Sequence, residues 1–92
     1  MAHHFLNSEW INKRLRNKNA VFTPGSETTV MINYSDPLHI LEVEFTGGRV
    51  YHYQNVDLST WEEYKSTIQS GGSSGIFVNT KIKPFYEAVE IT

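Results

Sequence analysis

The chain has 92 residues and a mass of 10.6 kDa, and its 39% hydrophobic and 20% charged residues are typical of one small globular domain. It contains no cysteine, which excludes disulfides, cysteine-based metal sites and a thiolate nucleophile, and which predicts a reducing, cytoplasmic location. No apolar run approaches the roughly 20 residues that span a bilayer, so no membrane segment is predicted.

Charge is distributed unevenly along the chain, although the formal net charge is only −2. Residues 1–26 carry four basic residues and one acidic residue, whereas residues 27–92 carry four basic and nine acidic residues. The two segments therefore have formal charges of +3 and −5, a pattern that indicates a basic arm attached to an acidic body.

Residues 1–25 are predicted to form this N-terminal arm. Asn7 or Ser8 would cap a short helix with Trp10, Ile11 and Leu15 on one face. Because a helix of about ten residues is marginally stable alone, we expect the arm to pack against the body or against another subunit. The protein is therefore expected to form a homo-oligomer through the arm.

The body, residues 26–92, changes to the two-residue period of β-strands. Strands are predicted at Thr28–Tyr34, His39–Phe45 and Arg49–Asn55, which together form a three-stranded meander. The Gly47-Gly48 pair joins the last two strands in a hairpin.

The register of this hairpin depends on the length of its loop. A three-residue loop with Gly48 in the left-handed region pairs Val43 with Tyr51 and Leu41 with Tyr53. A two-residue loop would leave both tyrosines on the open face. We predict the three-residue loop, because it buries more aromatic surface.

The segment after the meander is predicted to contain two helices. Asp57 is suited to cap the first, which runs to about Gln69 with a buried stripe of Trp61, Tyr64 and Ile68.

Ser73 or Ser74 is suited to cap a second, shorter helix that Pro84 ends, and Glu87–Ile91 is predicted as an edge strand. The fold class is therefore α+β, an antiparallel meander of three or four strands packed against one longer and one shorter helix.

Sequence motifs for catalysis are missing from the chain: it has no nucleophile elbow, zinc-protease motif or P-loop. His39 and His52 are placed near Glu42 and Glu44 on a sheet face that we interpret as exposed. Such groups can serve acid–base chemistry or hold a metal, but on an open face they are typical of surface pairs. We therefore expect that the protein is not an enzyme, and we predict no catalytic residue, metal site or cofactor.

A glycine- and serine-rich segment is the first candidate binding site. Free amides at a helix start, together with the Ser73 and Ser74 hydroxyls and the small Gly75, suit an anion such as phosphate. The basic residues of the following segment lie within reach of the same surface. The alternative interpretation is an ordinary capped loop between two helices.

The third strand is the second candidate. Tyr51 and Tyr53 alternate along it, so their rings are able to stack on nucleobases, and Arg49 is close enough to meet a phosphate. Under the alternative interpretation, both tyrosines belong to the core.

Several runs occur in an order that resembles the KTSC family, small domains named for a segment at the C-terminus of some lysyl-tRNA synthetases and also found alone in bacteria and phages. The most specific are Tyr51-His52-Tyr53 and Ser73-Ser74-Gly75-Ile76-Phe77-Val78-Asn79, and the resemblance covers about residues 26–91. The chain departs from the family pattern at two places: Asp57-Leu58 stands where a proline is usual, and Val78 stands where an aromatic residue is expected. The resemblance implies an antiparallel sheet with two helices, and RNA binding has been suggested for the family.

We therefore hypothesise a non-catalytic, oligomeric module that binds a small anionic nucleotide. As an extension, we hypothesise a phage-type protein that sequesters a linear or cyclic nucleotide signal. The acidic body favours a small ligand over long RNA, which rewards many phosphate contacts. The alternatives are an RNA-binding domain and a structural or protein-interaction module. The candidate ligand-binding residues are Arg49, Tyr51, Tyr53, Ser73, Ser74, Gly75, Asn79, Lys81 and Lys83.

Overall fold

A computed structural model describes residues 14–91, which form one five-stranded antiparallel sheet with helices packed on one face. The strands follow chain order across the sheet and confirm the predicted α+β class. The strands are β1 (Val21–Phe22), β2 (Thr29–Ser35), β3 (Ile40–Phe45), β4 (Val50–Tyr53) and β5 (Ala88–Glu90). The helices are α1 (Leu58–Gln69) and α2 (Ser74–Phe77), and α2 continues directly into a π-helical turn, Val78–Ile82.

The sheet has one strand more than the three or four predicted. Strand β1 pairs Val21 with Ile32 and Phe22 with Met31, so part of the segment predicted as an arm belongs to the sheet. Two residues are too few to show a two-residue period, which is why the sequence did not indicate this strand. The predicted arm helix, with its cap at Asn7 or Ser8, lies outside the described residues.

The predicted hairpin register is confirmed. Strands β3 and β4 pair Val43 with Tyr51 and Leu41 with Tyr53. Both Gly47 and Gly48 have positive φ angles, of 101° and 98°, a region that glycine occupies without steric cost. The loop therefore places the alternate side chains of both strands on the helix-covered face.

Helix α1 begins at the predicted cap, because the Asp57 side chain accepts a hydrogen bond from the backbone N–H of Thr60. Its residues Trp61 and Tyr64 are buried, and the Trp61 ring stacks on Tyr34 of β2 at 5.5 Å between centroids. The Tyr34 hydroxyl donates to the backbone carbonyl of Val56 at 2.6 Å, which ties the start of α1 to the sheet.

The opposite face of the sheet is also buried, which corrects our interpretation of it as an exposed face. Glu42 is 1% exposed and His52 is 6% exposed. Arg14 Nε lies 2.7 Å from Glu42 Oε2, and the backbone N–H of Leu15 donates to Glu42 Oε1 at 3.2 Å. We interpreted the charged face of β3 as solvated because its glutamates alternate with apolar residues. In the structure, Arg14, which lies 28 residues earlier in the chain, pairs with Glu42 on that face.

Burial by itself would raise the pKa of Glu42. The contacts with His52 and Arg14, together with the positive charge of Arg14, outweigh burial and hold the pKa of this carboxyl below its usual range. The His52 Nε2 atom is 3.5 Å from Glu42 Oε2, so this contact is longer than a well-formed hydrogen bond. Glu42 is therefore a buried carboxylate that stays ionised at neutral pH.

Helix α2 packs so closely against the start of β2 that only glycine fits at position 75. A Cβ atom at Gly75 would lie 2.6 Å from Thr28 Oγ1 and 2.9 Å from Thr28 Cβ. Gly75→Ala is therefore expected to lower the free energy of unfolding by about 1–3 kcal/mol, measured by urea denaturation. Gly25→Ala is the matched control, since nothing lies within 4 Å of its Cβ position. Equal stability of the two variants would contradict this close contact.

Candidate functional site

A cavity of about 380 Å³ opens beside the β4–β5 edge, on the same face of the sheet as the helices. Its volume lies at the lower end of the roughly 300–1,000 Å³ range of small-molecule sites. It is formed where the β3–β4 hairpin meets the segment that leads from the π-helical turn to β5. The residues that line it are Phe45, Thr46, Arg49, Tyr51, Tyr53, Lys83, Tyr86 and Ala88.

Aromatic rings form one wall of this cavity because of the hairpin register. The Phe45 and Tyr51 rings meet edge to face at 5.7 Å, and Tyr51 and Tyr53 are tilted against each other at 6.5 Å. Tyr53 is buried in the core at 3% exposure, whereas Tyr51 is half-buried. Of the two tyrosines, Tyr51 is therefore the one whose ring is accessible to a ligand. Tyr53 packs beside it in the core.

Two cations reach the cavity from different elements. Arg49 precedes β4 at the end of the hairpin loop, and Lys83 follows the π-helical turn. The Lys83 Nζ atom lies 5.2 Å from the centroid of the Phe45 ring, a cation–π distance that holds the ammonium over the aromatic wall. No carboxylate is among the lining residues, so the lining itself carries two positive charges and no negative charge, although a carboxylate contacts its rim.

The tyrosine hydroxyls of the cavity differ in their surroundings. Burial raises the pKa of Tyr53, and the neighbouring Tyr51 adds to this effect, so the phenol stays protonated at neutral pH. The Tyr86 hydroxyl lies 3.2 Å from Thr60 Oγ1 of α1, which fixes that ring against the helix. At the rim, the Tyr51 hydroxyl donates to Glu90 Oε1 at 3.4 Å.

The structure brings together four of the nine candidate ligand residues, namely Arg49, Tyr51, Tyr53 and Lys83. The Ser73 hydroxyl accepts from the Ile76 N–H at 3.1 Å and so acts as the helix cap, as the sequence indicated. The Ser74 hydroxyl is buried at 2.7 Å from the Tyr64 hydroxyl. Together with the tight contact at Gly75, this places the serine-rich segment in structural roles and away from the aromatic cavity.

Asn79 and Lys81 also lie apart from the aromatic cavity. Asn79 is exposed on the π-helical turn. Lys81 Nζ lies 3.5 Å from Glu63 Oε2 and lines a separate, smaller depression against α1. The nine candidate ligand residues therefore do not form one continuous site that extends from β4 to the start of α2.

Sequence reasoning missed Phe45, Thr46, Tyr86 and Ala88 as lining residues. Phe45 could have been found, since the register that we predicted already placed it on the same face as Tyr51. Tyr86 and Ala88 had no such signal, because their position depends on where the chain returns to the sheet after the helices.

The histidine and carboxylate side chains of residues 14–91 are the remaining candidates for metal binding. No group of three histidine, aspartate or glutamate residues is placed to hold a metal ion within this range. His39 is exposed in the turn before β3 with a φ of 54°, away from the buried His52. No helix in the described part of the chain is long and apolar enough to cross a membrane.

Residues 26–86 match the model of the KTSC domain family. Among solved structures, the chain is similar to the crystal structure of a KTSC domain protein from Yersinia pestis, with 26% identity and a TM-score of 0.58. That match covers 73% of this chain and 89% of the other. No curated protein matches the chain.

Proposed function

The chain belongs to the KTSC domain family, and from this premise we propose that the aromatic cavity beside β4 is a non-catalytic binding site for a nucleotide-type anion. The single observation that carries the proposal is the combination of an aromatic wall with Arg49 and Lys83 in one cavity without a lining carboxylate.

The aromatic wall supports a nucleobase as one part of the ligand. Every nucleobase has a π-face, and stacking on protein aromatic rings is largely independent of base identity. The half-buried Tyr51 ring supplies such a face, and the Phe45 ring, which meets it edge to face, adds apolar surface beside it. A saturated anion would leave this surface without a matching partner.

The two cations support a phosphate as the other part. A guanidinium is able to hold phosphate oxygens through two parallel hydrogen bonds, and an ammonium adds a compact charge beside it. Because the Lys83 ammonium lies over Phe45, and Phe45 contacts Tyr51, this charge lies close to the Tyr51 ring on which a base would stack. With only two such groups, the cavity suits one or two phosphates rather than a long backbone.

Calorimetry against nucleoside phosphates, cyclic dinucleotides, cyclic trinucleotides and a single-stranded RNA tests the proposal. We expect a small nucleotide to bind, and Arg49→Gln to weaken its binding by about tenfold or more, as loss of a charged hydrogen bond does. Lys81→Gln is the matched control, since Lys81 is an exposed cation outside the cavity. Its effect should stay within about twofold.

Salt dependence separates the small ligand from a polymer. Two phosphate contacts predict a slope of about −1 to −2 in a plot of log K against log salt concentration. Binding of the RNA alone, with a steeper slope and equal losses for Arg49→Gln and Lys81→Gln, would instead favour the RNA-binding alternative. Absence of binding by every probe would favour the protein-interaction alternative.

A further inference from the structure

The Tyr53 hydroxyl is a polar group in the cavity wall that has no partner in the described part of the chain. Each of the other four tyrosine hydroxyls has a hydrogen-bond partner, but none of residues 14–91 pairs with the hydroxyl of Tyr53. Tyr53 is 3% exposed, and a buried hydroxyl without a partner destabilises a folded protein. Its presence at this place therefore calls for an explanation.

This hydroxyl is accessible from the cavity. Among the side-chain polar atoms of residues 14–91, His52 Nε2 alone is both sealed from solvent and without a hydrogen bond, so the Tyr53 oxygen is not sealed. Because Tyr53 is a lining residue, a ligand in the cavity would be able to reach this oxygen.

The exposure of the lining residues indicates how a nucleotide would lie. Arg49 and Lys83 are exposed, the Tyr51 ring is half-buried, and Tyr53 is buried. A phosphate would stay with the two cations at the mouth, because a charged group is costly to remove from water. The base would then extend inward along Tyr51, whose ring centroid lies 6.5 Å from that of Tyr53. The edge of the base remote from the sugar would meet the Tyr53 hydroxyl.

Resting on the proposed function, we infer that the Tyr53 hydroxyl donates a hydrogen bond to a carbonyl oxygen on this inner edge, and so selects oxo bases over amino bases. Guanine and hypoxanthine carry a carbonyl at position 6 and uracil carries one at position 4, where adenine and cytosine carry an amino group. A carbonyl accepts the phenol proton. An amino group would instead donate to the phenol oxygen and leave that proton without an acceptor.

Calorimetry with two matched pairs of nucleotides tests this inference. Inosine and adenosine 5′-monophosphate differ at position 6 of the purine, and uridine and cytidine 5′-monophosphate differ at position 4 of the pyrimidine. We expect the wild-type protein to bind the oxo member of at least one pair about three- to tenfold more tightly, the usual effect of one hydrogen bond. Tyr53→Phe should reduce this preference to less than about twofold by weakening the binding of the oxo nucleotide.

Urea denaturation without ligand separates a binding hydroxyl from a structural one. We expect Tyr53→Phe to unfold at the same or a higher urea concentration than the wild-type, because it removes a polar group that has no partner. Tyr64→Phe is the matched control, since the Tyr64 hydroxyl lies 2.7 Å from Ser74 Oγ and Tyr64 does not line the cavity. It should unfold at a lower urea concentration and keep the preference for the oxo nucleotide.

Three results would overturn the role of this hydroxyl: equal affinities within both pairs, an unchanged preference in Tyr53→Phe, or a loss of stability in Tyr53→Phe as large as that in Tyr64→Phe. Binding of a cyclic nucleotide but of none of these four mononucleotides would do the same. In each case, nucleotide binding that Arg49→Gln weakens would leave the proposed site intact. Failure of the wild-type protein to bind any mononucleotide or cyclic nucleotide would overturn both.

Discussion

Tyr64→Ala is expected to lower the free energy of unfolding by about 3–5 kcal/mol, the usual cost of removing a fully buried aromatic ring. Tyr64 is 0% exposed, and its ring stacks on Phe77 at 4.3 Å between centroids. This contact joins α1 to α2, so the cavity left by alanine would lie at the junction of the two helices.

Tyr64→Phe separates the ring from its hydroxyl. The hydroxyl lies 2.7 Å from Ser74 Oγ and 3.2 Å from the Ser74 carbonyl, so phenylalanine keeps the stacking and loses these bonds. We expect it to cost about 1–2 kcal/mol, clearly less than alanine. Urea denaturation of both variants measures the difference. A cost below about 1 kcal/mol for alanine would contradict the placement of Tyr64 in the core.

Glu42→Gln is expected to lower the free energy of unfolding by about 2–4 kcal/mol at pH 7, although it changes almost no volume. The Glu42 carboxylate holds Arg14 at 2.7 Å and accepts the Leu15 N–H at 3.2 Å, and a buried charged contact is costly to break from one side. Glu44→Gln is the control. Glu44 also contacts Arg14, at 3.1 Å, but its side chain is 28% exposed, so we expect a loss below about 1 kcal/mol.

The same carboxylate predicts a dependence of stability on pH. Because the pKa of Glu42 is lowered in the folded state, its contribution is present above the usual carboxyl pKa and is lost as the pH falls through the lowered value. Unfolding curves measured from pH 7 down into this acid range should show the wild-type losing stability more steeply than Glu42→Gln. Parallel pH profiles would show that the ion pair does not stabilise the fold.

Local sequence patterns were sufficient for most of the fold. The two-residue period located the three central strands. The sequence indicated a cap at Asp57 and another at Ser73 or Ser74, because a side-chain oxygen at a helix start satisfies a free N–H group, and the structure shows the second cap at Ser73. The glycine pair in the hairpin allowed two registers, and the aromatic surface that each would bury chose the correct one, since a slip by one residue would have exposed the tyrosines.

The sequence was misleading where burial depends on contacts distant in the chain. Glu42 and Glu44 alternate with apolar residues as they would on a solvated strand, and nothing local indicates that Arg14 pairs with them. For the candidate site, the strand spacing grouped Arg49, Tyr51 and Tyr53 correctly. The spacing could not show that Lys83 lines the same cavity whereas Lys81 lies outside it. The direction of each lysine side chain depends on the conformation of the turn that carries them.

The junction between α1, α2 and β2 contains a row of hydroxyl groups whose protons must be arranged together. Thr29 Oγ1 donates to Ser74 Oγ at 2.8 Å, and Thr23 Oγ1 lies 2.7 Å from Thr29 Oγ1, so the row runs from Tyr64 through Ser74 and Thr29 to Thr23. Each hydroxyl has one proton to give, and the Thr29 and Ser74 carbonyls are further acceptors for the end hydroxyls of Thr23 and Tyr64, so the direction of one bond limits those of its neighbours. Thr29 and Tyr64 at the centre of this junction are almost fully buried, so the exchange of their hydroxyl protons with solvent should be slow, and its rate would measure local opening of the junction.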